Sequence, residues 1–376
     1  MRILFTGGGT GGHFYPIIAI AEEVTDLVKK EHLLAPELFY MSSTPYNEGL
    51  LFEHGITYTH TSAGKIRRYF SILNFFDLFR TAWGAFTSII KVWSLYPDVV
   101  FGKGGYASFP ALLAARILRI PVVIHESDTV PGRVNKWAGK FATRVAVSYP
   151  EAAKYFPEGK VAVTGNPVRR DIATPITEGA REFLKLEENI PVVLILGGSQ
   201  GASLINDIVI EGLPQLVEKF EIIHQVGAAN LAEAQSTSRA VLMDSQHKAR
   251  YKVFDYLNPL AMRMAAGVAS VVVSRAGSTV FEIASWGVPA ILIPITDSNG
   301  DHQRQNAFSY ARAGAGEVIE EANLTSHVLA AEIERLSVNQ TVREQMKAGA
   351  KSFYKPDAAK LVAEEIVKIA LSHEIN

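Results

Sequence analysis

Residues 2–28 place a glycine-rich loop between a short apolar run and a helix-periodic stretch. Arg2 to Thr6 has the composition of a buried strand, Gly7 to His13 follows it, and apolar residues from Ile17 to Val28 recur with helical spacing. Glycine lets the backbone approach a ligand closely, and a helix start presents unpaired N–H groups and the positive end of its dipole. The stretch therefore predicts an α/β fold with a site for phosphate, or for a hydroxyl near one, at this turn.

A second turn of the same type occurs halfway along the chain. Val192 to Leu196 leads into Gly197 to Ala202 and then into an amphipathic stretch that begins at Leu204. Because both turns join a strand to a helix through glycines, we predict two similar domains. The linker-like stretch Gly165 to Arg169 marks the break between them.

The order of the predicted elements also indicates the sheet type. Strand-like runs alternate with helical patterns in both halves, which implies parallel sheets with right-handed crossovers. Such sheets bind ligands at the carboxyl ends of their strands. Since 376 residues exceed one typical core, we predict domains at residues 1–166 and 167–351. The last helix, 357–376, is expected to pack back on the first domain.

Composition narrows the class of protein. The formal net charge is -1, which gives no global field to recruit nucleic acid. The sequence contains no cysteine for disulfides, thiolate metal sites or a thiol nucleophile. It starts with strand-like residues instead of a basic and apolar leader, so we expect no secretion signal and a cytoplasmic protein.

Residues 65–95 combine many aromatic and aliphatic side chains with several lysines and arginines. Asp77, Arg80 and Lys91 interrupt the apolar run, which disfavours a membrane-spanning helix. Two interpretations are open at this point. The segment is either a helix packed on the sheet, or an apolar and basic patch that dips into an anionic membrane surface.

Several side chains near predicted strand ends are candidates for chemistry. His13 stands at a helix start, where a neutral imidazole suits a general base or a hydroxyl contact, with packing or capping as the alternative. Arg169 follows the linker proline, where a guanidinium can reach a phosphate. Ser199 offers a hydroxyl beside a helix start, as a diphosphate needs, with a purely structural turn as the alternative. Glu282 lies early in a later helix, where its carboxylate can accept ribose hydroxyls or simply complement the helix dipole.

Other nucleotide-binding patterns are weak or absent. Gly7, Gly9 and Gly12 match GxGxxG, but the predicted second strand ends in Ser42-Ser43-Thr44 in place of the acid that holds a ribose. The sequence has no DxD motif, no zinc-type histidine spacing and no GxxxxGK[ST] loop. We therefore expect no metal and no cofactor, and a diphosphate neutralised by helix ends and arginine.

Seven stretches stand in the order and spacing of the MurG family: FTGGGTGGHFYP, GKGGYASFP, HESDTVPGRVNKW, TGNPVRRD, LGGSQGA, SRAG with Glu282, and DHQRQNA. The resemblance implies a GT-B glycosyltransferase, with two Rossmann-like parallel-sheet domains facing across a cleft. It implies inverting transfer of N-acetylglucosamine from UDP-N-acetylglucosamine to the 4-hydroxyl of undecaprenyl-pyrophosphoryl-N-acetylmuramyl pentapeptide. This reaction converts lipid I to lipid II in peptidoglycan biosynthesis.

The resemblance also implies roles for individual residues. His13 and Glu126 are the catalytic candidates, and Tyr106 and His125 would line the acceptor side. Asp128 stands where the family usually has asparagine. The residues implied in donor binding are Thr10, Gly11, Gly12, Asp128, Arg169, Ser199, Leu257, Ser278, Glu282 and Gln303, with Leu257 meeting uracil through its backbone.

A polyprenyl-linked acceptor would bring the protein to a membrane. The resemblance therefore favours contact of residues 65–95 with the membrane, and a peripheral location on the cytoplasmic side of the inner (plasma) membrane. We expect no nucleic-acid partner. The alternatives are a related GT-B glycolipid glycosyltransferase, such as a diacylglycerol glucosyltransferase, a UDP-N-acetylglucosamine epimerase, and a non-catalytic sugar-nucleotide sensor.

Overall fold

The structure, a computed structural model, describes residues 1–64, 72–198 and 201–374. The chain forms two compact units. The N-terminal unit comprises Met1–Arg169 and Lys355–Asn376, and the C-terminal unit comprises Arg170–Tyr354. The middle of the sequence therefore forms one unit, and its two ends together form the other.

Strands and helices alternate through most of both units. The strands are β1 Arg2–Thr6, β2 Glu37–Ser42, β3 Ile56–His60, β4 Val99–Gly102, β5 Val122–Glu126, β6 Arg144–Val147, β7 Val161–Val163, β8 Val192–Leu196, β9 Glu221–Gln225, β10 Tyr251–Phe254, β11 Ala269–Ser274, β12 Ala290–Leu292 and β13 Gly316–Val318. The helices are α1 Gly11–Lys30, α2 Glu48–Glu53, α3 Ile72–Leu95, α4 Phe109–Ile117, α5 Arg133–Ala138, α6 Arg170–Ala173, α7 Ala180–Leu184, α8 Ser203–Lys219, α9 Leu231–Val241, α10 Pro259–Val268, α11 Thr279–Trp286, α12 His302–Arg312, α13 Ser326–Val338, α14 Gln340–Phe353 and α15 Ala358–Glu374.

In the N-terminal unit the described strands form one parallel sheet in the order β3-β2-β1-β4-β5-β6-β7. The central strand β1 pairs with β2 on one side and β4 on the other. Its residues Ile3, Leu4 and Phe5 are fully buried, as expected for a strand covered on both faces. The chain reverses its direction of winding between β1 and β4, so their carboxyl ends form the crevice in which such sheets bind ligands.

In the C-terminal unit the described strands form a second parallel sheet in the order β10-β9-β8-β11-β12-β13. Here the reversal falls between β8 and β11, which are directly paired. Two core clusters cover the faces of this sheet, one with Leu194 and Val272, the other with Val193 and Val273. The predicted α/β architecture with two parallel-sheet domains is confirmed.

The last helix belongs to the N-terminal unit. α15 packs against α1 and contacts β4. Val362, Ile366 and Ala370 are buried in the same core cluster as Ile17 and Ile20 of α1. The helix therefore completes the hydrophobic core of the unit in which the chain begins.

The sequence interpretation missed one strand, and the structure describes only part of residues 65–95. The strand β3 was not predicted, because Ile56–His60 is short and only its first residue is buried. Of residues 65–95, the stretch 65–71 lies outside the described residues, and α3 covers the remainder. Within the described ranges, none of the helices has the length and apolar content that crossing a bilayer requires.

The helix α3 has one packed side and one open side. It contacts α4, and its residues Ser88 and Val92 are fully buried. A Cβ atom added to Gly84 would lie only 1.6 Å from the carbonyl oxygen of Ser62, so the backbones touch there. The open side carries large exposed side chains at helical spacing, which we call the α3 stripe: Phe79, Trp83, Phe86, Ile90 and Trp93.

Candidate active site

Two glycine-rich loops of the N-terminal unit meet at the carboxyl ends of β1 and β4. A Cβ atom added to Gly8 would lie 2.6 Å from Cβ of Ala107 and 2.8 Å from Oγ of Ser42. One added to Gly105 would lie 2.7 Å from the carbonyl oxygen of Gly8, and Gly105 has a φ of 80°. Only glycine fits at these two positions, because any side chain would separate the two loops.

His13 lies at this junction. It is in the first turn of α1, and its Nδ1 is 3.1 Å from Oγ1 of Thr10, the residue that precedes the helix. A Cβ atom on Gly105 would be 3.5 Å from its Cε1. The ring is partly exposed. Thr10 therefore orients the imidazole at the crevice predicted to bind ligand.

The neighbouring predicted residues surround the same turn. Gly11 and Gly12 begin α1, and a Cβ atom on Gly11 would be 2.7 Å from the hydroxyl oxygen of Tyr46. Tyr106 is half-buried, and its ring edge would be 3.4 Å from a Cβ atom on Gly9. The structure thus brings Thr10, Gly11, Gly12, His13 and Tyr106 together within one crevice.

His125, in contrast, is fully buried at the end of β5. Its Nε2 lies 2.9 Å from the carbonyl oxygen of Gly165, and its Nδ1 lies 2.8 Å from Nζ of Lys103. The carbonyl can only accept, so Nε2 carries the proton and Nδ1 accepts from the lysine. Burial, followed by the charge of Lys103, lowers the pKa of His125 well below its usual value of 6.5. The imidazole of His125 is therefore neutral, and it connects Lys103 to the backbone of Gly165 inside the unit.

Glu126 is also engaged within the unit. One carboxylate oxygen accepts from the backbone N–H of Asp128 at 3.0 Å, and the other accepts from the N–H of Gly132 at 3.1 Å and Nδ2 of Asn135 at 3.0 Å. Burial is the main cause that raises its pKa to about 7, and the nearby Asp128 adds to it. The carboxylate shapes the turn from Ser127 to Gly132, and Asp128 is half-buried on that turn.

Lys103 connects these elements, and sequence reasoning missed it. Its Nζ donates to His125, to Oγ of Ser127 and, at 3.3 Å, to Oδ1 of Asn166. Burial lowers the pKa of Lys103 to about 8, against the opposing effects of Glu126 and Asp128. Lys103 stands inside a glycine loop that follows a fully apolar strand, and this position could have suggested a buried role. Sequence alone, however, does not distinguish a buried lysine from a solvated one at such a position.

Arg169 is the last residue of the first segment, Met1–Arg169, of the N-terminal unit. It is only 5% exposed, and its guanidinium carbon lies 4.1 Å from the centre of the Tyr15 ring. Tyr15 follows His13 by two residues on α1. The cation–π contact therefore holds the guanidinium beside the helix that carries the histidine.

The glycine turn of the C-terminal unit precedes α8. Ser199 lies outside the described residues, but the flanking Gly198 and Gly201 have φ of 76° and 77°. A Cβ atom on Gly201 would lie 2.4 Å from the carbonyl oxygen of Val226. The backbone of Gln225 accepts from the N–H of Gly197 at 3.1 Å. The next strand thus holds the turn in place.

Gln225 also reaches the position predicted to meet uracil. Its Oε1 accepts from the backbone N–H of Leu257 at 3.0 Å, and Leu257 is buried. That N–H is therefore already used, and a backbone contact of Leu257 to a base would employ its carbonyl oxygen.

The remaining predicted residues lie around α11 and α12. Ser278 precedes α11 and Glu282 is in its first turn, and three residues separate Ser278 from the end of β11 at Ser274. Gln303 is in the first turn of α12, and its Oε1 accepts from the N–H of Ile295 at 3.1 Å. Asn306 donates to the carbonyl oxygen of Ala276 at 3.1 Å, which ties α12 to the turn before α11. These residues share the strand-end side of the C-terminal sheet.

The donor-binding prediction therefore divides between the units. Thr10, Gly11, Gly12, Asp128 and Arg169 belong to the N-terminal unit. Leu257, Ser278, Glu282 and Gln303 belong to the C-terminal unit. Among the described residues, no group of three or more histidine, aspartate or glutamate side chains is arranged to hold a metal ion.

Solved structures share this fold along nearly the whole chain. MurG of Acinetobacter baumannii has a TM-score of 0.72 at 27% sequence identity, and the match covers 98% of this chain and 99% of that one. A putative UDP-N-acetylglucosamine 2-epimerase from Listeria monocytogenes has a TM-score of 0.70 at 15% identity, covering 99% and 96%, and shows the fold alone. The two parallel-sheet units with glycine turns at their strand ends define a protein of the GT-B class.

Sequence comparison identifies the family. Residues 3–147 match the glycosyltransferase family 28 N-terminal domain, and residues 192–362 match the family 28 C-terminal domain. The UDP-N-acetylglucosamine--N-acetylmuramyl-(pentapeptide) pyrophosphoryl-undecaprenol N-acetylglucosamine transferase of Treponema denticola is 37% identical over 333 residues, which cover 84% of this chain and 83% of that protein. Transferase 2 of the same name from Bacillus cereus is 35% identical over 369 residues, covering 97% and 99%. The chain therefore belongs to glycosyltransferase family 28 and, within it, to the MurG family.

Proposed function

We propose that this protein transfers N-acetylglucosamine from UDP-N-acetylglucosamine to a pyrophosphoryl-undecaprenol-linked N-acetylmuramyl pentapeptide. The observation that carries the proposal is the match, at 35% to 37% identity over most of the chain, to transferases named for this reaction. The crevice around His13 supports it, because it supplies an imidazole next to a helix start and two backbone loops.

In this proposal the two units have different substrates. The N-terminal crevice receives the acceptor sugar, and the C-terminal strand ends bind UDP-N-acetylglucosamine. The N-terminus of α11 supports the second assignment: Ser278 offers a hydroxyl there and Glu282 offers a carboxylate suited to the two ribose hydroxyls. Gln303, anchored to the backbone of Ile295 through its Oε1, keeps its NH₂ group available to the sugar.

The chemical step is a displacement at the anomeric carbon. The acceptor 4-hydroxyl oxygen attacks this carbon, His13 takes the hydroxyl proton, and the bond to the diphosphate oxygen breaks with both electrons leaving on UDP. The configuration at the anomeric carbon inverts. Negative charge grows on the diphosphate, where the N-terminus of α8, Ser199 and Arg169 stabilise it. Glu126 supports the acceptor-side turn, because its oxygens accept from groups of that turn and from Asn135.

The α3 stripe is the proposed contact with the membrane that holds the acceptor. Its side chains are between 51% (Ile90) and 65% (Trp93) exposed, and they repeat along one side of the helix. Arg80 and Lys91 lie on the same helix and suit an anionic surface. Apolar and aromatic side chains flanked by cations bind the interface of a bilayer without crossing it. The proposal therefore includes a peripheral location on the cytoplasmic side of the membrane.

The proposed function is tested with the purified full chain, radiolabelled UDP-N-acetylglucosamine and a lipid-linked muramyl pentapeptide, with and without chelator. We expect label in the lipid fraction and release of UDP in equal amounts, and activity that survives chelation. UDP and an epimer formed without acceptor would indicate an epimerase. Transfer to diacylglycerol alone would indicate a glycolipid glycosyltransferase, and binding without turnover on either lipid would indicate a sensor.

A further inference from the structure

Lys103 is a buried cation at the meeting point of three segments. Its side chain is 1% exposed, and its ammonium group donates to one acceptor on each of His125, Ser127 and Asn166. An ammonium group has three hydrogens, so each of them is used. A lysine that only filled space would not need one acceptor for each of its three ammonium hydrogens.

The backbone and the stem of Lys103 extend the connection to the His13 loop. Its N–H donates to the carbonyl oxygen of Thr6 at 2.8 Å, at the end of β1. A Cβ atom on Gly7 would be 3.2 Å from its Cβ. The residue thus touches the loop before His13 as well as the turn after β5.

Asn166 carries the connection towards Arg169. Asn166 is buried, and its Nδ2 lies 3.3 Å from the carbonyl oxygen of Pro167. Three residues after Asn166, the Arg169 guanidinium stacks on Tyr15 of α1. His125 reinforces the same segment through the Gly165 carbonyl oxygen. The side chain of Lys103 is therefore linked, through the Asn166 to Arg169 segment, to the helix that bears His13. Its backbone is linked to the loop before that helix.

The charges around Lys103 fit a retained ammonium ion. Glu126 and Asp128 act on it as negative neighbours, and both oppose the effect of burial on its pKa. His125 presents an unprotonated nitrogen to it. The three acceptors and two carboxylates compensate the cost of removing a cation from water.

We propose that Lys103 is a positioning residue for the transfer reaction, holding the His13 loop, the turn after β5 and the Asn166 to Arg169 segment in one fixed arrangement. The inference rests on the proposed function, since it assigns these three segments to one reaction. Lys103 itself touches no substrate. It holds the imidazole of His13, the turn after β5 and the guanidinium of Arg169 at fixed distances from one another.

The test compares Lys103→Met with Lys160→Met in the full chain. Methionine keeps much of the length and removes the donors. Lys160 is a matched control, because it also lies in the N-terminal sheet region and anchors a backbone, with its Nζ 3.1 Å from the carbonyl oxygen of Ala142. Activity is expressed as kcat per molecule that binds UDP-N-acetylglucosamine and whose N-terminal unit resists protease, so protein with either unit unfolded does not enter the comparison.

We expect Lys103→Met to lower this kcat by about 100-fold, as small misplacements of reacting groups do, with a smaller increase in the Kd for UDP-N-acetylglucosamine, because the donor contacts in the C-terminal unit remain. Lys160→Met should lower thermal stability at most and leave kcat per binding molecule as in the parent. An unchanged kcat in folded Lys103→Met would overturn the inference, because a merely structural lysine behaves in that way.

A second variant keeps the test decisive if Lys103→Met does not fold. Ser127→Ala removes one acceptor on a partly exposed turn, and it should lower kcat in the same direction by a smaller factor. A parental kcat in Ser127→Ala would then refute the positioning role. Absence of transfer by the parent protein would instead refute the proposed function, so the two failures are distinguished by the parent assay.

Discussion

The guanidinium carbon of Arg169 lies 4.1 Å from the centre of the Tyr15 ring. The contact joins the last residue of the Met1–Arg169 segment of the N-terminal unit to the helix that carries His13. An arginine held on an aromatic face loses less conformational entropy when it binds an anion, since its plane is already fixed. We expect this fixed orientation to favour the proposed contact of Arg169 with a diphosphate.

Replacement of Arg169 by methionine should remove this anion contact. We expect kcat/KM to fall by an amount that corresponds to about 2.7 to 4 kcal/mol, the range for loss of one donor to a developing anion. Tyr15→Leu, which leaves the charge but removes the aromatic face, should cause a smaller loss. Steady-state kinetics on both variants provide the measurement, and equal losses would show that stacking alone matters.

His13→Ala should lower kcat by about 10²- to 10⁴-fold, the usual contribution of a positioned general base. Its Kd for UDP-N-acetylglucosamine should remain as in the parent, because the imidazole is assigned to the acceptor hydroxyl and not to the donor. The exposed His327 on α13 provides a control variant, His327→Ala, with parental kinetics. A His13→Ala enzyme with normal kcat would remove the imidazole from the chemistry.

Gly8→Ala should destabilise the junction of the two glycine loops. The new methyl group would lie 2.6 Å from Cβ of Ala107, and overpacking of this kind costs about 1 to 3 kcal/mol. Gly132→Ala is the matched control, because its Cβ would have no neighbour within 4 Å and its φ is -61°. Chemical denaturation measures both. Equal free energies of unfolding for the two variants would contradict the close approach.

Sequence could predict those parts of the site that depend on the residue types of the turns, such as the glycine loops. The loop before α1 required glycine at Gly8, and that requirement is visible in the residue types. The role of Lys103 could not be predicted, because its three acceptors lie 22 to 63 positions further along the chain. Only the order of strands in the sheet brings them together.

His125 and Glu126 show the same limit. They are the last two residues of β5, and sequence does not tell whether a polar side chain at a strand end faces the crevice or the interior. The structure turns both inward, since His125 and Glu126 are 0% and 4% exposed. The edge strand β3 was missed for a related reason: with only Ile56 buried, it lacks the apolar run that identified the central strands.

The raised pKa of Glu126 predicts a pH dependence of stability. Its pKa is about 7 in the native protein against an ordinary 4.5, so between these values the native state binds more protons than the unfolded state. The free energy of unfolding contributed by this group therefore falls as pH rises from 4.5 to 7. Glu126→Gln should lack this component, so its stability deficit relative to the parent should be largest in acid and shrink towards neutrality. A pH-independent difference would contradict burial as the cause.

The α3 stripe predicts binding to anionic vesicles. Serine at Phe79 and Phe86 should lower affinity for phosphatidylglycerol vesicles, because each phenylalanine contributes up to about 1.5 to 3 kcal/mol when fully buried. Turnover of the long-chain acceptor should fall with it, while a short-chain soluble acceptor is used at the parental rate. Phe183→Ser, at an exposed phenylalanine of α7, is the control. Equal losses on both acceptors would indicate that α3 supports the fold instead.

Since α15 closes the core around α1, the order of synthesis and the order of assembly differ in this chain. The ribosome releases every element of the C-terminal unit before the last helix that the N-terminal unit needs. The C-terminal unit can therefore reach its native packing first. The core around Ile17 and Ile20 is completed only after α15, with Val362 and Ile366, has been synthesised. In a purified chain truncated after Tyr354, the C-terminal unit should accordingly resist protease and residues 1–169 should be susceptible.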